Sequence, residues 1–210
     1  MKRIAIIGSS DLAQQLTHYI KSDLKIDVIG YYDDFLDKGC HVKGIPILGG
    51  INDVLIDYNN KKFDGILIGI GYKHFDFRES VFVRFKNIIP FTNLIHSSCI
   101  IDSSVTIGEG VVLFPGSIID MNVRIGDNVL VNVGCVIAHD SLVGEHTFMS
   151  PGVKIAGFVE VGNACNIGIN TTIIDNVKLV NSVKTGGGTV VIENIEKPGL
   201  YVGNPQRFIR

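Results

Sequence analysis

The sequence predicts two unlike folds in one chain: an α/β, Rossmann-like βαβ domain over residues 1–94 and a parallel β-helix over residues 95–210. Three observations carry the division. The chain repeats every six residues without a break from Ile101 to Lys184, its first third opens strand–helix–strand, and the six-residue register fades before Ile95. Every first position of the repeat is aliphatic, as at Ile101, Leu113, Ile137, Ile155 and Leu179, and every fifth is small or β-branched, as at Val105, Ser117, Cys135, Thr147 and Val183. Helices need apolar residues near a 3.6 period and plain strands near two, so a strict six fits neither. It fits a hexapeptide solenoid of three short faces per coil. First positions fill the interior, fifth positions sit where the walls converge, and the Gly, Asp and Asn between them tolerate tight corners. A β-sandwich needs turn signals at irregular spacings of about eight to twelve residues, which this stretch lacks.

In chain order, residues 3–8 read as a buried strand. A helix follows from Asp11 to about Ser22, with Leu12, Leu16, Tyr19 and Ile20 at helical spacing and Ser10 or Asp11 as N-cap. A second strand, Ile26 to Tyr32, runs into Asp33 and Asp34. The glycine turn and the acidic pair suggest a dinucleotide site, yet a G-x-G-x-x-G fingerprint falls on Gly8, Ser10 and Ala13, so two of its three glycines are missing. A nucleotide-bearing ligand at the helix N-terminus and a purely structural βαβ unit both remain open. Residues 63–71, FDGILIGIG, form a third strand that sets Gly69 and Gly71 beside Gly8, at the carboxyl ends where open α/β sheets bind ligands. A helix from Lys73 to Lys86 and a strand from Ile88 to Ile95 complete the lead domain. Beyond Lys184 the register weakens, and the tail EKPGLYVGNPQRFIR closes the chain.

A net charge of −2 and a pI near 6.3 leave no basic footprint for nucleic acid or an anionic membrane. The apolar start ends too soon for a signal peptide, and no later stretch reaches spanning length, which places the chain in the cytoplasm. Cys40, Cys99, Cys135 and Cys165 make no CxxC or zinc spacing. Cys99 and Cys135 fall two coils apart, roughly 9–10 Å by strand spacing, beyond disulfide reach.

Chemistry on so narrow a solenoid has to come from corner positions. His139 stands at the third position of its hexad with Asp140 next to it. A histidine beside a carboxylate is a general base with a fixed tautomer, or simply an exposed corner residue. His146 lies at a different hexad position on an adjoining face, and no third solenoid histidine follows His96, so a zinc site is not expected.

The lead domain with its IGYYDD segment and GIG loop, followed by hexads carrying N-x6-H-[DE], a triple glycine and a GNP tail, resembles bacterial sugar O- and N-acetyltransferases of the sialic acid O-acetyltransferase type. The likeness is greatest to the subgroup that N-acetylates nucleotide-linked 4-amino-4,6-dideoxy sugars. The resemblance implies a left-handed β-helix, a homotrimer and acetyl-CoA lying between neighbouring solenoids, with no metal. It implies that His139 is the general base, that Asp140 orients it, and that Asn132 matches the asparagine seven residues before the base. It assigns Asp33 and Asp34 to the nucleotide, Ser10, Asp11 and Gly71 to the loops around it, and Gly157, Ile169 and Gly187 to the acetyl-CoA groove. The βαβ turn adds Gly8 to the substrate-binding loops, and the mechanism expected on this basis places a backbone N–H near Gly157 as oxyanion donor. Leu12 and Phe148 stand where close relatives carry histidines. Two other functions compete: O-acetylation of a sialic acid or other sugar hydroxyl, and a non-catalytic nucleotide-sugar-binding trimer.

Overall fold

The computed structural model describes residues 1–210 and separates into two compact units, Met1–Leu94 and Ile95–Arg210. The lead unit is built on β1 (Lys2–Ile7), α1 (Asp11–Asp23), β2 (Ile26–Tyr32), β3 (His41–Val42), β4 (Ile45–Gly49), α2 (Asp53–Asn59), β5 (Gly65–Ile68) and α3 (Phe75–Phe85). Its strand order is β3-β4-β2-β1-β5, parallel except for the β3–β4 hairpin. Ile4, Ala5, Ile6 and Ile7 are buried on both faces of the sheet, the continuous apolar run of a central parallel strand. Leu16, Thr17 and Ile20 press α1 onto one face, while Val81, Phe82 and Phe85 of α3 join Phe63 and Phe91 in a core cluster.

Several boundaries differ from the sequence expectation. The third strand is only Gly65–Ile68, and a 3-10 turn over Tyr72–His74 precedes α3, so the helix starts at Phe75 rather than Lys73. Residues 88–95 are not one strand. Pro90 cannot donate to a ladder, and the segment makes an isolated bridge at Phe91 and a two-residue strand at Leu94–Ile95. The β3–β4 hairpin and α2 carry no clear periodic signal. Of α2's apolar run Val54, Leu55 and Ile56, only Val54 is buried.

The second unit is a three-sided parallel β-helix. Two-residue strands occupy the sixth and first positions of each hexad, and each pairs with the strand eighteen residues on, as Ile101 with Ile119 and Ile119 with Ile137. Three sheets result, one per side. First and fifth positions make the interior, with Leu113, Ile137, Met149, Cys135 and Cys165 among residues fully out of solvent. Burial pushes both of those thiols up to about 11, so they remain protonated apolar fillers. Polar fifth positions are satisfied by backbone: Ser141 donates to the Ala156 carbonyl and Thr147 to that of Gly162.

Corners repeat two devices. From Gly110 to Gly188 every fourth position has positive φ, which accounts for the Asn and Gly there. At several third positions the backbone N–H donates to the side-chain oxygen of the residue one coil on, as Glu145 to Asn163 and Asn163 to Asn181. No helix is long and apolar enough to cross a membrane.

Candidate active site

Within the lead unit a cavity of about 480 Å³ opens at the carboxyl ends of β1, β2 and β5. Gly8, Ser10, Asp33, Asp34 and Gly71 line it, together with Ser9, Phe35, Ile51, Ile70, His74 and Phe77. Asp11 is not in the lining and lies exposed in the first turn of α1. Gly8 turns the chain at φ 96° and donates its N–H to the Tyr32 carbonyl. Gly69 explains why Ala13 replaces the fingerprint's last glycine: a Cβ on Gly69 would sit 2.5 Å from the Ala13 Cβ, so the close helix–strand approach is provided from the strand.

The acidic pair is braced by hydrogen bonds within the unit. Asp33 accepts the Ser9 hydroxyl on Oδ2 and the Phe35 N–H on Oδ1, and Asp34 Oδ1 accepts the Ile51 N–H at 2.7 Å. Beneath the loop, Arg78 is buried and donates to the Ile68 and Ile70 carbonyls. Burial of this cation drags it down to about 10. The result is a mixed cavity: aromatic rings at Phe35 and Phe77, acceptors on the acids, and the N-terminal turn of α1 behind Ser10, whose hydroxyl caps nothing.

On the β-helix, His139 and Asp140 follow the strand Val136–Ile137 at one corner. His139 Nδ1 lies 3.0 Å from Asp140 Oδ2. An ionised carboxylate only accepts, so Nδ1 carries the proton and Nε2 keeps its lone pair. Asp140's other oxygen accepts from Asn122 Nδ2 at 3.0 Å, one coil back. The bond from His139, and then that from Asn122, holds the Asp140 carboxyl below the usual carboxylate range.

One coil on, Gly157 leaves room for the imidazole: a Cβ there would fall 2.8 Å from His139 Cε1 and 2.9 Å from Nε2. The need is for space rather than for a special φ. The Gly157 N–H donates to Asp175 Oδ1, the corner device again, and the Phe158 N–H donates to the His139 carbonyl. The Gly157 N–H itself is therefore engaged within the corner. Phe158 also sets its ring against His139, centroids 5.2 Å apart and planes at 87°.

The other named positions lie elsewhere on the prism. Asn132 follows the strand Leu130–Val131 and folds its side-chain oxygen onto the Val133 N–H, so no bond joins it to His139. Ile169 and Gly187 stack on each other at the corner of that same sheet, where a Gly187 Cβ would meet Ile169 Cγ2 at 2.9 Å. His146 is buried, with Nδ1 3.0 Å from Asn128 Nδ2. Asn122 and Phe158, absent from the sequence expectation, stand one coil before and one coil after Asp140; the eighteen-residue period is the signal that finds them.

No protein-family description matches the sequence, and no curated protein matches it. Solved structures do. The chain is similar to PerB, the perosamine N-acetyltransferase of Caulobacter crescentus in complex with CoA and GDP-perosamine, at 23% identity and a TM-score of 0.90, covering 100% of this chain and 98% of that one. It is similar to the acetyltransferase domain of PglB from Neisseria gonorrhoeae, at 21% identity and a TM-score of 0.85, covering 100% of both chains. WeeI from Acinetobacter baumannii is 22% identical with a TM-score of 0.82, again over 100% of both. Likeness at these identities establishes the fold.

Proposed function

We propose that the chain is a cytoplasmic acetyl-CoA-dependent N-acetyltransferase that acts on the 4-amino group of a nucleotide-linked 4-amino-4,6-dideoxy sugar, in the synthesis of a surface glycan. The observation that carries the reading is the 3.0 Å contact of His139 Nδ1 with the Asp140 carboxylate, which leaves Nε2 on the side of the ring next to the side-chain-free Gly157. The CoA and GDP-perosamine bound in PerB agree with it.

Residues 1–94 act as a Rossmann-like nucleotide-sugar-binding domain. Asp33, Asp34 and the turn Gly8–Ser10 meet the nucleotide, and Phe35 and Phe77 offer faces for its base. At the β-helix, His139 Nε2 takes the proton from the sugar amine as its nitrogen bonds to the thioester carbon. Asp140 stabilises the imidazolium that forms, and His139 returns the proton to the departing thiolate as the C–S bond breaks.

Ile169 and Gly187 lie at a different corner from His139, so a groove using all three needs a second copy of the chain. A homotrimer with acetyl-CoA between neighbouring solenoids meets that need. Light scattering reads the assembly directly, and a monomer in solution removes the shared groove.

The decisive assay offers acetyl-CoA with a panel of UDP-, dTDP- and GDP-linked 4-amino sugars and follows thiol release. Release with at least one amine is expected. Silence across the panel overturns the N-acetyl reading, and acetylation of a free sugar hydroxyl instead would replace it.

A further inference from the structure

We infer that Phe158 is a positioning residue for the His139 imidazole, an aromatic wall that keeps the ring turned toward Asp140. The proposal rests on the reading of His139 as base and adds to it a residue that sits where its own backbone disfavours it.

Phe158 occupies a fourth position, with φ 57°. Most of those positions are held by Gly, at 110, 116, 134, 152 and 188, or by Asn, at 122, 128, 170 and 176, the residues at home in left-handed backbone; Asp140, His146, Ala164 and Ser182 fill the rest, and Phe158 is the bulkiest side chain among them. A bulky phenyl there is costly, and such outliers persist where the surroundings or the function require them. The core does not require this one, because Phe158 is 53% exposed. Its ring contact is with His139, at 5.2 Å and 87°, the edge-to-face arrangement aromatic pairs favour. Its N–H donates to the His139 carbonyl, a bond that fourth positions repeat along the solenoid, so what is particular to Phe158 is its ring.

The imidazole needs such a wall. Gly157, its neighbour along the corner, has no side chain, and the His139 side chain is 43% exposed. Asp140 tethers Nδ1 but leaves the ring free to swing about that single bond. Phe158 closes the open side, and Nε2 is held in one direction.

The test exploits opposite signs. Phe158→Asn and Phe158→Gly place favoured residues in the left-handed corner and raise Tm by about 2–4 °C, the scale for relieving one strained residue in a chain of this size. The same variants lower kcat about tenfold, the scale of a misdirected catalytic group, with KM for acetyl-CoA within about twofold of the parent. Phe158→Tyr keeps the ring and keeps turnover. NMR of the labelled histidine in the resting protein reads the imidazole without turnover: the His139 side-chain resonances move in Phe158→Asn and stay in Phe158→Tyr. An Asn variant with full kcat and an unmoved resonance overturns the proposal, as does a Tyr variant that fails like Asn. If the parent releases no thiol with any amine, the proposed function falls, while the resonance still decides whether Phe158 holds the ring.

Discussion

In the lead unit, the cavity gathers residues from four separate segments, around Gly8, Asp33, Ile51 and Gly71, and its charged groups are already engaged with neighbouring backbone and hydroxyls. In the β-helix, the corner site draws every member from two columns of the same repeat: His139, Gly157 and Asp175 at third positions, Asn122, Asp140 and Phe158 at fourth positions. A binding cavity can be built by convergence of irregular loops on a sheet edge. A reactive group on a solenoid is built by exchanging single side chains while the register holds everything else. The contrast predicts separable damage: changes at the corner reach turnover and spare affinity for the nucleotide, and changes in the cavity do the reverse.

The largest separation is expected from His139→Ala, which lowers kcat by about 10² or more, the scale of a lost general base. Calorimetry should find its affinity for the nucleotide sugar unchanged. A variant with near full turnover at neutral pH removes His139 from the chemistry. Gly157→Ala comes next. Its backbone needs no positive φ, so the fold tolerates the methyl, but the methyl occupies the place of the imidazole. Displacing the base by about an ångström should cost ten- to a hundredfold in kcat with little change in Tm. If Gly157→Ala melts early instead, the glycine serves packing rather than the site.

Asp34→Ala tests the other half. It removes the acceptor of the Ile51 N–H and a carboxylate that lines the cavity. Affinity for the nucleotide sugar should fall about tenfold, the scale of one charged hydrogen bond, with acetyl-CoA binding unmoved. Loss of both affinities together would break the separation.

The two regions were also unequally legible. Two interior positions, the first and the fifth, repeat in every hexad of the β-helix, so period six alone gives its strands, the place of Cys135 and Cys165 in its wall and its corner histidine. The same register implies neighbours at eighteen residues, and through it Asn122 and Phe158 follow from Asp140, since stacked coils touch at that spacing. What the period does not carry is the direction of individual side chains: Asn132 turns back onto its own chain, and the Gly157 N–H is taken by Asp175. The lead unit has no such repeat. Buried strands β1 and β2 read clearly because both faces are covered, whereas α2 leaves Leu55 and Ile56 in solvent and shows no apolar stripe. Ala13 reads as a missing glycine until Gly69 is seen opposite it. Tertiary contact, not local pattern, decides those positions.

The smallest expected effect isolates a single hydrogen bond in the corner. Asn122 sits at φ 59° and donates to Asp140 Oδ1, so Asn122→Gly keeps the left-handed turn and deletes only the side chain. Asp140 is held below its ordinary range first by His139 and then by Asn122. A depressed carboxylate contributes stability above the ordinary value near pH 4 and loses it as pH falls through the depressed one. The parent's advantage over Asn122→Gly is therefore full at neutral pH and shrinks through the acid range, vanishing once Asp140 is protonated in both. At neutral pH kcat should fall about threefold, within the worth of one hydrogen bond, because Asp140 is still present but less firmly aimed at Nδ1. Denaturation midpoints measured across pH 3 to 7 check the first expectation and initial rates the second. A gap between the two proteins that is constant with pH would place Asn122 in the wall of the solenoid and outside the line of groups that ends at His139.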